Sequence, residues 1–526
     1  MAVKGMVAAG HAQTAAAACA VLADGGNAVD AALAGVLAAC VTEPILASLG
    51  GGGFLAACTA DGPQAGRTLV YDFFVQTPRR RRRQDDTDLR EIAADFGPAT
   101  QSFHIGMGTI ATPGVVRGLF AACRELGRMP MRQLAEPAIA LARDGVAVDG
   151  MQAYVLRVVR AIVEADAAMR VLFASPERAG EIVASGERLQ LPELADALEV
   201  LAIEGEDLFY RGEMAARLAQ DCATRGGHLD RSDLAAYRVE RRAPLSLPFE
   251  GALVQLNPPP SSGGILVGFG LALWEALGRL PAAFGSRPHL QRLAAVMRAT
   301  ARARIEERLP DGAGGADAPL NPALIDRWRA EVAGTAAVQR GTTQISVVDR
   351  AGGIASVTIS NGEGSGYVLP GTGIILNNML GEADLLPDGI GTFPLDARLS
   401  SMMAPTIVRD RDGGITALGS GGSNRIRTAI LQVLLNLLAF GMRPQEAVAA
   451  PRMHWEAAVR RGAEAVLSVE PGFSDQAVKS AADGADLAIW PEHNLFFGGV
   501  HTVRRSAGGS FDGAGDARRG GVVRTA

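Results

Sequence analysis

The stretch that decides the fold reads Gly341-Thr342-Thr343-Gln344-Ile345-Ser346-Val347-Val348-Asp349, then a turn through Gly353, then Ile354-Ala355-Ser356-Val357-Thr358-Ile359-Ser360. Two β-branched runs, at 345–348 and 354–360, flank a short glycine-bearing turn and predict an antiparallel hairpin. Side chains alternate along a strand, so Ala355, Val357 and Ile359 share one face and Ser356, Thr358 and Ser360 the other. Three hydroxyls on one face, beside Gly362-Glu363-Gly364-Ser365-Gly366, make either an edge face wetted by solvent or a site. Thr342 opens the first strand. If the peptide bond before it is cut, its α-amine becomes the general base for its own hydroxyl and no separate histidine is needed. The same residues also read as an ordinary strand start.

A second segment, Leu418-Gly419-Ser420-Gly421-Gly422-Ser423-Asn424, opens a helix predicted over 426–440. Ile426, Ile430, Leu434 and Leu437 share its apolar face, and Gly441 suits the C-cap. A glycine-serine loop at a helix N-terminus presents backbone N–H groups that can hold an anion or oxyanion, or simply cap the helix. It has neither the lysine of a phosphate-binding loop nor a GxGxxG pattern after a strand, which argues against nucleotide binding.

Working outward, helices are predicted over 12–22 and 28–39, the second capped by Asn27 with Asp30 in its first turn. Gly50 to Gly53 is a run of four glycines, read as a close backbone approach. Residues 117–225 are mostly helical by period, including 134–142, with Pro137 in its first turn, and 194–202. A strand at 253–256 runs into the rigid turn Asn257-Pro258-Pro259-Pro260-Ser261-Ser262-Gly263-Gly264. Helices follow at 265–277 and 288–309, then a flexible segment, Asp311-Gly312-Ala313-Gly314-Gly315.

Composition narrows the function. With 48% hydrophobic and 20% charged residues the chain is globular, not disordered. A net charge of −5 disfavours a nucleic-acid coat, and the arginine run at 79–83 reads as a solvated loop or as a lure for an anionic substrate. The five cysteines lack CxxC spacing and the seven histidines form no HxH or HExxH pair, so no metal site is expected. No GxSxG elbow is present, which argues against a Ser-His-Asp enzyme. No signal-type apolar region or membrane-length segment is seen, so a cytoplasmic location and no membrane partner are expected.

Several motifs in order carry a resemblance. They are Gly5-Met6-Val7-Ala8-Ala9, Gly25-Gly26-Asn27-Ala28-Val29-Asp30-Ala31-Ala32, Leu49-Gly50-Gly51-Gly52-Gly53-Phe54, Thr112-Pro113-Gly114 and Leu141-Ala142-Arg143-Asp144-Gly145. After Pro258 to Gly264 come Thr342 to Asp349, Leu376-Asn377-Asn378, Leu399-Ser400-Ser401-Met402, Gly419-Ser420-Gly421-Gly422-Ser423 and Ala450-Pro451-Arg452. Over nearly its whole length the chain resembles the γ-glutamyltranspeptidase family of the N-terminal-nucleophile hydrolases.

The resemblance implies an α+β, four-layer αββα sandwich. A large fragment, 1–341, and a small fragment, 342–526, would form one intertwined domain after self-cleavage between Gly341 and Thr342. Thr342 would then attack an amide carbonyl, and water or an amine would resolve the acyl-enzyme. Gly421 and Gly422 match the oxyanion-hole donors, and Ser400 and Ser401 the residues that bind a substrate α-carboxylate. Ser360 matches the family's helper threonine and Glu382 its α-amino-binding aspartate. Asn361, one position from the family's α-amino-binding asparagine, is carried for that role. The resemblance implies no cofactor, and a small γ-glutamyl amide of glutathione type, or a related amide, as substrate. The two fragments would make a heterodimer, with further oligomerisation left open. An acylase of the same scaffold acting on a non-glutamyl amide, such as a β-lactam with a glutaryl side chain, and an inactive binding protein are the alternatives.

There are departures. The family's Asp-Phe-Arg-Glu-x-x-Pro is here Asp72-Phe73-Phe74-Val75-Gln76-Thr77-Pro78, so Phe74 replaces the arginine that pairs with the glutamyl carboxylate. A charge-assisted hydrogen bond is worth about 1.5–3 kcal/mol, so roughly 10- to 100-fold in affinity is missing. Gln344 and Met379 replace a histidine and a glutamine of the family. Either the donor lacks the carboxylate, or arginines from 79–83 fold over the site and supply the charge.

Overall fold

The computed structural model describes residues 3–95, 100–306, 320–330, 342–382, 385–386, 389–456 and 465–526. Gly341 and the segment Asp311 to Gly315 lie outside the described residues.

Among the described residues, thirteen strands build two large sheets. The first six in chain order are β1 (Gly5–Ala9), β2 (Gly52–Cys58), β3 (Leu69–Phe73), β4 (Glu240–Arg242), β5 (Leu245–Phe249) and β6 (Ala252–Leu256). Next are β7 (Thr343–Asp349), β8 (Ile354–Ser360), β9 (Thr406–Arg409) and β10 (Ile415–Gly421). β11 (Gly499–Arg505), β12 (Phe511–Ala514) and β13 (Val522–Thr525) close the chain. The first sheet has the order β13-β1-β7-β8-β2-β3-β4, the second β12-β11-β10-β9-β6-β5. Helices α1 (Ala12–Ala23), α2 (Ala28–Thr42) and α3 (Val115–Leu126) cover the outer face of the first sheet. Helices α4 (Ser262–Ala276) and α5 (Arg425–Leu434) cover the second. Strands β7 and β8 pack face to face on β10, so the layers run helix, sheet, sheet, helix, the expected sandwich.

The hairpin forms in the expected register, Ile345 opposite Val357 and Ser346 opposite Ser356. It lies in the middle of the sheet, with β1 against β7 and β2 against β8. The hydroxyl face of β8 is therefore no wetted edge. Ser356 and Thr358 are fully buried, and with Gln344 and Ser346 they make a polar layer between the sheets. Ser356 donates to the Leu418 carbonyl, Ser346 to the His501 carbonyl and Thr358 to Gln344. Burying these groups is tolerated because each finds a partner. Opposite this face Ile345, Val357 and Ile359 join the apolar core against α2.

α2 is buried along its whole length, and Asn27 and Asp30 form a reciprocal capping box at its start. The helix read at 134–142 spans Met131–Asp144, with Pro130 as its N-cap. Pro137 consequently lies in the second turn rather than the first. The helix expected from 426 runs as α5 to Leu434 and finishes as a π-helical turn, Leu435–Ala439.

The four glycines are dictated by close backbone approach. A Cβ on Gly51 would stand 2.3 Å from the Ser360 carbonyl oxygen, and one on Gly53 2.5 Å from that of Thr358. One on Gly50 would meet the Ile375 carbonyl oxygen at 2.3 Å. Gly51→Ala is therefore expected to destabilise the protein by about 1–3 kcal/mol or more, because backbone rather than a flexible side chain must move. Thermal melting of the two proteins checks this, and Gly150→Ala, where a Cβ meets open space and the backbone is not left-handed, serves as the control.

Candidate active site

Thr342 is 4% exposed and lines a cleft. One step beyond the Thr343–Ile359 pair, the hairpin register sets Thr342 opposite Ser360. Both side chains line the cleft, with Phe74, Met379, Glu382, Leu385, Ser401, Met402, Met403, Ser423 and Ile426. The cleft encloses about 360 Å³. The Ser360 hydroxyl accepts the Gly362 N–H at 3.0 Å.

Gly421 ends β10 directly against the backbone of Thr342. A Cβ there would lie 2.0 Å from the Thr342 carbonyl oxygen, which only glycine avoids. Gly422 adopts φ +121° and Ser423 φ +51°, turning the chain sharply into α5. On a non-glycine residue that φ stores strain of order 1–3 kcal/mol. The Arg519 guanidinium stands behind this turn and donates to the Thr342 carbonyl at 3.2 Å. Burial pulls Arg519 down to about 10, and Glu43 and Asp516 oppose that shift.

The proline-serine-glycine turn supports the Ser401 side of the cleft. The Ser401 carbonyl accepts the N–H groups of Ser262 and Gly263 and the Ser261 hydroxyl. Ser401 in turn accepts the Met403 N–H on its own hydroxyl. Its neighbour Ser400 is half-buried and is not among the lining residues. Glu382 follows a 3-10 turn, Met379–Gly381. That turn is tied down by Asn377, which donates to the carbonyls of Gly50 and Ala111. Asn361 is fully buried, takes the N–H groups of Gly364 and Asn378 on its carbonyl, and does not line the cleft.

Phe74 is buried in the cleft wall and stacks on Phe54 at 5.5 Å between ring centroids. Among the described lining residues there is no arginine or lysine. Arg398, the cation bound to the Phe74 carbonyl, faces Tyr237, the Arg238 carbonyl and Asp72 instead. The arginine run is spent elsewhere. Arg79 pairs with Asp396, Arg81 stacks on Phe393, and Arg82 donates to the carbonyls of Gly227 and Ala223. None of the five lines the cleft.

Thus Thr342, Ser360, Glu382 and Ser401 converge on one cleft, with Gly421 packed on the Thr342 carbonyl. Met403, Leu385, Ile426, Glu43 and Arg519 were not legible as site residues, while Met379, Met402 and Ser423 stood in or beside the quoted motifs with no lining role assigned to them.

Residues 14–526 match the gamma-glutamyltranspeptidase family. The chain is 30% identical over 530 residues to the glutathione hydrolase proenzyme of Escherichia coli (strain K12), covering 95% of this chain and 87% of that protein. It is 30% identical over 483 residues to the acylase ACY 1 proenzyme of Pseudomonas sp. (strain SE83), covering 88% and 84%. In fold it resembles the crystal structure of cephalosporin acylase from Bacillus halodurans, with TM-score 0.85 at 23% identity over 99% and 96% of the two chains.

If Ser360 orients the nucleophile across the hairpin, Ser360→Ala should slow both self-cleavage and turnover, by roughly tenfold for one lost hydrogen bond. Ser360→Thr, which keeps the hydroxyl, should be tolerated. Timed gels and steady-state kinetics read both effects, and an alanine variant equal to wild type in both would remove Ser360 from the site.

Proposed function

The chain belongs to the gamma-glutamyltranspeptidase family, and from that premise we propose that Thr342, freed by self-cleavage, transfers acyl groups from amides whose acyl chain carries no carboxylate. It is an enzyme of the N-terminal-nucleophile hydrolase superfamily, and its relatives are named as proenzymes.

In the precursor the Thr342 hydroxyl adds to the Gly341 carbonyl carbon. The C–N bond breaks, the hydroxyl proton ends on the nitrogen, and an ester and a free amine result. Water opens the ester to the Gly341 carboxyl and the Thr342 hydroxyl. In the mature enzyme the amine takes the hydroxyl proton as Oγ attacks a substrate carbonyl, then passes it to the leaving amine. Backbone N–H groups at Gly421 and Gly422 are the donors proposed for the oxyanion. Water or a second amine resolves the acyl-enzyme.

The observation that carries the donor class is the cleft lining. It offers the Glu382 carboxylate, hydroxyls and an apolar wall at Phe74 and the methionines, with no cation among the described lining residues. An isolated carboxylate moved into such a wall costs several kcal/mol. The arginines at 79–83 do not repair this, since none lines the cleft and Arg79, Arg81 and Arg82 are engaged elsewhere. A carboxylate wall instead favours an ammonium. A 4-aminobutanoyl chain is the γ-glutamyl chain without its carboxylate, and a glutaryl chain is the same chain without its amine. The lining favours the first of these, and neutral acyl chains after it.

Two experiments test the reading. Terminal sequencing of the smaller fragment should begin Thr-Thr-Gln-Ile, and Thr342→Ala should abolish cleavage and turnover together. In parallel, kcat/KM is measured for the 4-aminobutanoyl, γ-glutamyl and glutaryl anilides. The 4-aminobutanoyl compound should be the best of the three. Phe74→Arg should then raise the two carboxylate-bearing donors relative to it by about tenfold or more. Wild-type enzyme that strongly prefers the γ-glutamyl anilide, and gains nothing from the arginine, would show that Phe74 does not face the donor.

A further inference from the structure

A second, larger cavity of about 530 Å³ lies on the other face of the strand that carries the nucleophile. Alternation along the chain sends Thr342 into the cleft and Thr343 the opposite way. There the Thr343 hydroxyl donates to Glu43 Oε2 at 3.0 Å. Glu43, at the end of α2, lines this cavity with Arg519. The remaining wall is mostly apolar, including Ile45, Leu46, Val155 and Phe173. The reaction as written uses none of these groups.

We propose that Glu43 and Arg519 are positioning residues. They grip the Thr342–Thr343 peptide from behind, one through the Thr343 hydroxyl and one through the Thr342 carbonyl, and so fix the rotation that aims the Thr342 hydroxyl. The inference rests on the reading of Thr342 as nucleophile.

The two grips fall on successive residues of one peptide, which a single packing contact would not require. Arg519 also touches the Gly421–Gly422 turn: a Cβ on those glycines would lie 3.2 and 3.4 Å from its terminal nitrogens. One guanidinium thus sets the nucleophile's carbonyl and the proposed oxyanion donors relative to each other. Keeping a buried carboxylate and guanidinium here is costly unless their bonds are retained.

The Glu43 carboxyl is raised by burial to about 7, with Thr343 and Arg519 holding it down and Asp149 pushing it up. The charged and titratable groups around it are Arg519, Asp149, His11 across the same cavity, and Cys40 one turn back on α2. His11 is held below its ordinary range by burial, against the pull of Asp149, so it is neutral near pH 7. Above pH 7 the ionised Glu43 can only accept, which fixes the Thr343 hydroxyl as donor. Below it the acid proton competes and the attraction to Arg519 is lost. The grip therefore tightens as pH rises through 7.

Self-cleavage isolates this titration, because Thr342 in the precursor has an amide nitrogen and no titrating amine. Precursor made in a short cell-free pulse is moved to buffers from about pH 5.5 to about 9, and the Thr342-initiated fragment is timed on gels. The wild-type rate should rise through an inflection near pH 7. Glu43→Gln keeps an acceptor without the charge, so its profile should be flat, about tenfold below the wild-type alkaline plateau. Arg519→Lys, whose compact ammonium replaces the fork, should slow cleavage while keeping the inflection. Arg519→Met removes the charge that holds Glu43 down, so its inflection should move to higher pH. A Glu43→Gln profile that keeps the inflection, or a uniform slowing with the inflection unmoved in Arg519→Met, overturns the proposal. If Glu43→Gln does not fold, the position of the inflection in Arg519→Met decides alone. Wild-type cleavage at another residue, or cleavage by Thr342→Ala, fails the nucleophile reading itself and is seen in the same gels.

Discussion

Everything at the centre of this protein depends on how closely the end of β10 approaches the carbonyl of Thr342. A single methyl group at position 421 would stand 2.0 Å from that oxygen. The two sheets can meet there only because residue 421 has no side chain, and the turn that follows needs φ +121° at Gly422. The contact ties the last strand residue of one sheet to the first residue before the central strand of the other. Residues from opposite ends of the chain fix its two sides. β2, from the N-terminal part of the sequence, flanks β8, while Arg519, near the C-terminus, holds the carbonyl.

The layer behind that contact is polar, which is unusual for the interior of a sandwich. Gln344, Ser346, Ser356 and Thr358 satisfy one another or the backbone of β10 and β11. Gly419 is required because a Cβ would meet the Gln344 amide at 2.2 Å. A row of hydrogen bonds specifies one register between the sheets, where an apolar layer would tolerate sliding. Thr342 and Ser360 are the last pair in that row, and both line the cleft.

Charge is distributed in front of and behind Thr342. Glu382 lies in front, on the cleft; Arg519 and Glu43 lie behind. The turn bearing Arg519 is anchored by a buried ionic cluster in which Arg452 meets Asp516 at 2.6 Å and Arg518 meets Glu470 at 2.5 Å. Burial alone would raise the Asp516 carboxyl, but Arg452 and Arg518 hold it down at about 2. Held at about 2, Asp516 stays ionised near neutral pH, whereas the Glu43 carboxyl, raised by burial to about 7, changes state there.

The sequence by itself determined what depends on local pattern. The hairpin and its hydroxyl face follow from period-2 alternation, the capped N-terminal helices from Asn27 and Asp30, and the glycine runs from backbone approach. The ordered motifs carried the family and, through it, Thr342, Ser360, Glu382 and Ser401. The tertiary structure alone decided where those pieces stand. Whether the hydroxyl face was wet or buried depended on which strands flank β8, a long-range pairing with no local signature. Whether the arginine run could serve the cleft depended on Phe393 and the Gly227 carbonyl, 312 and 145 residues along the chain from Arg81 and Arg82. Glu43 and Arg519 were invisible for the same reason: each is an ordinary residue at a helix end or turn until folding brings it, across 300 and 177 residues, onto the neighbouring residues Thr343 and Thr342.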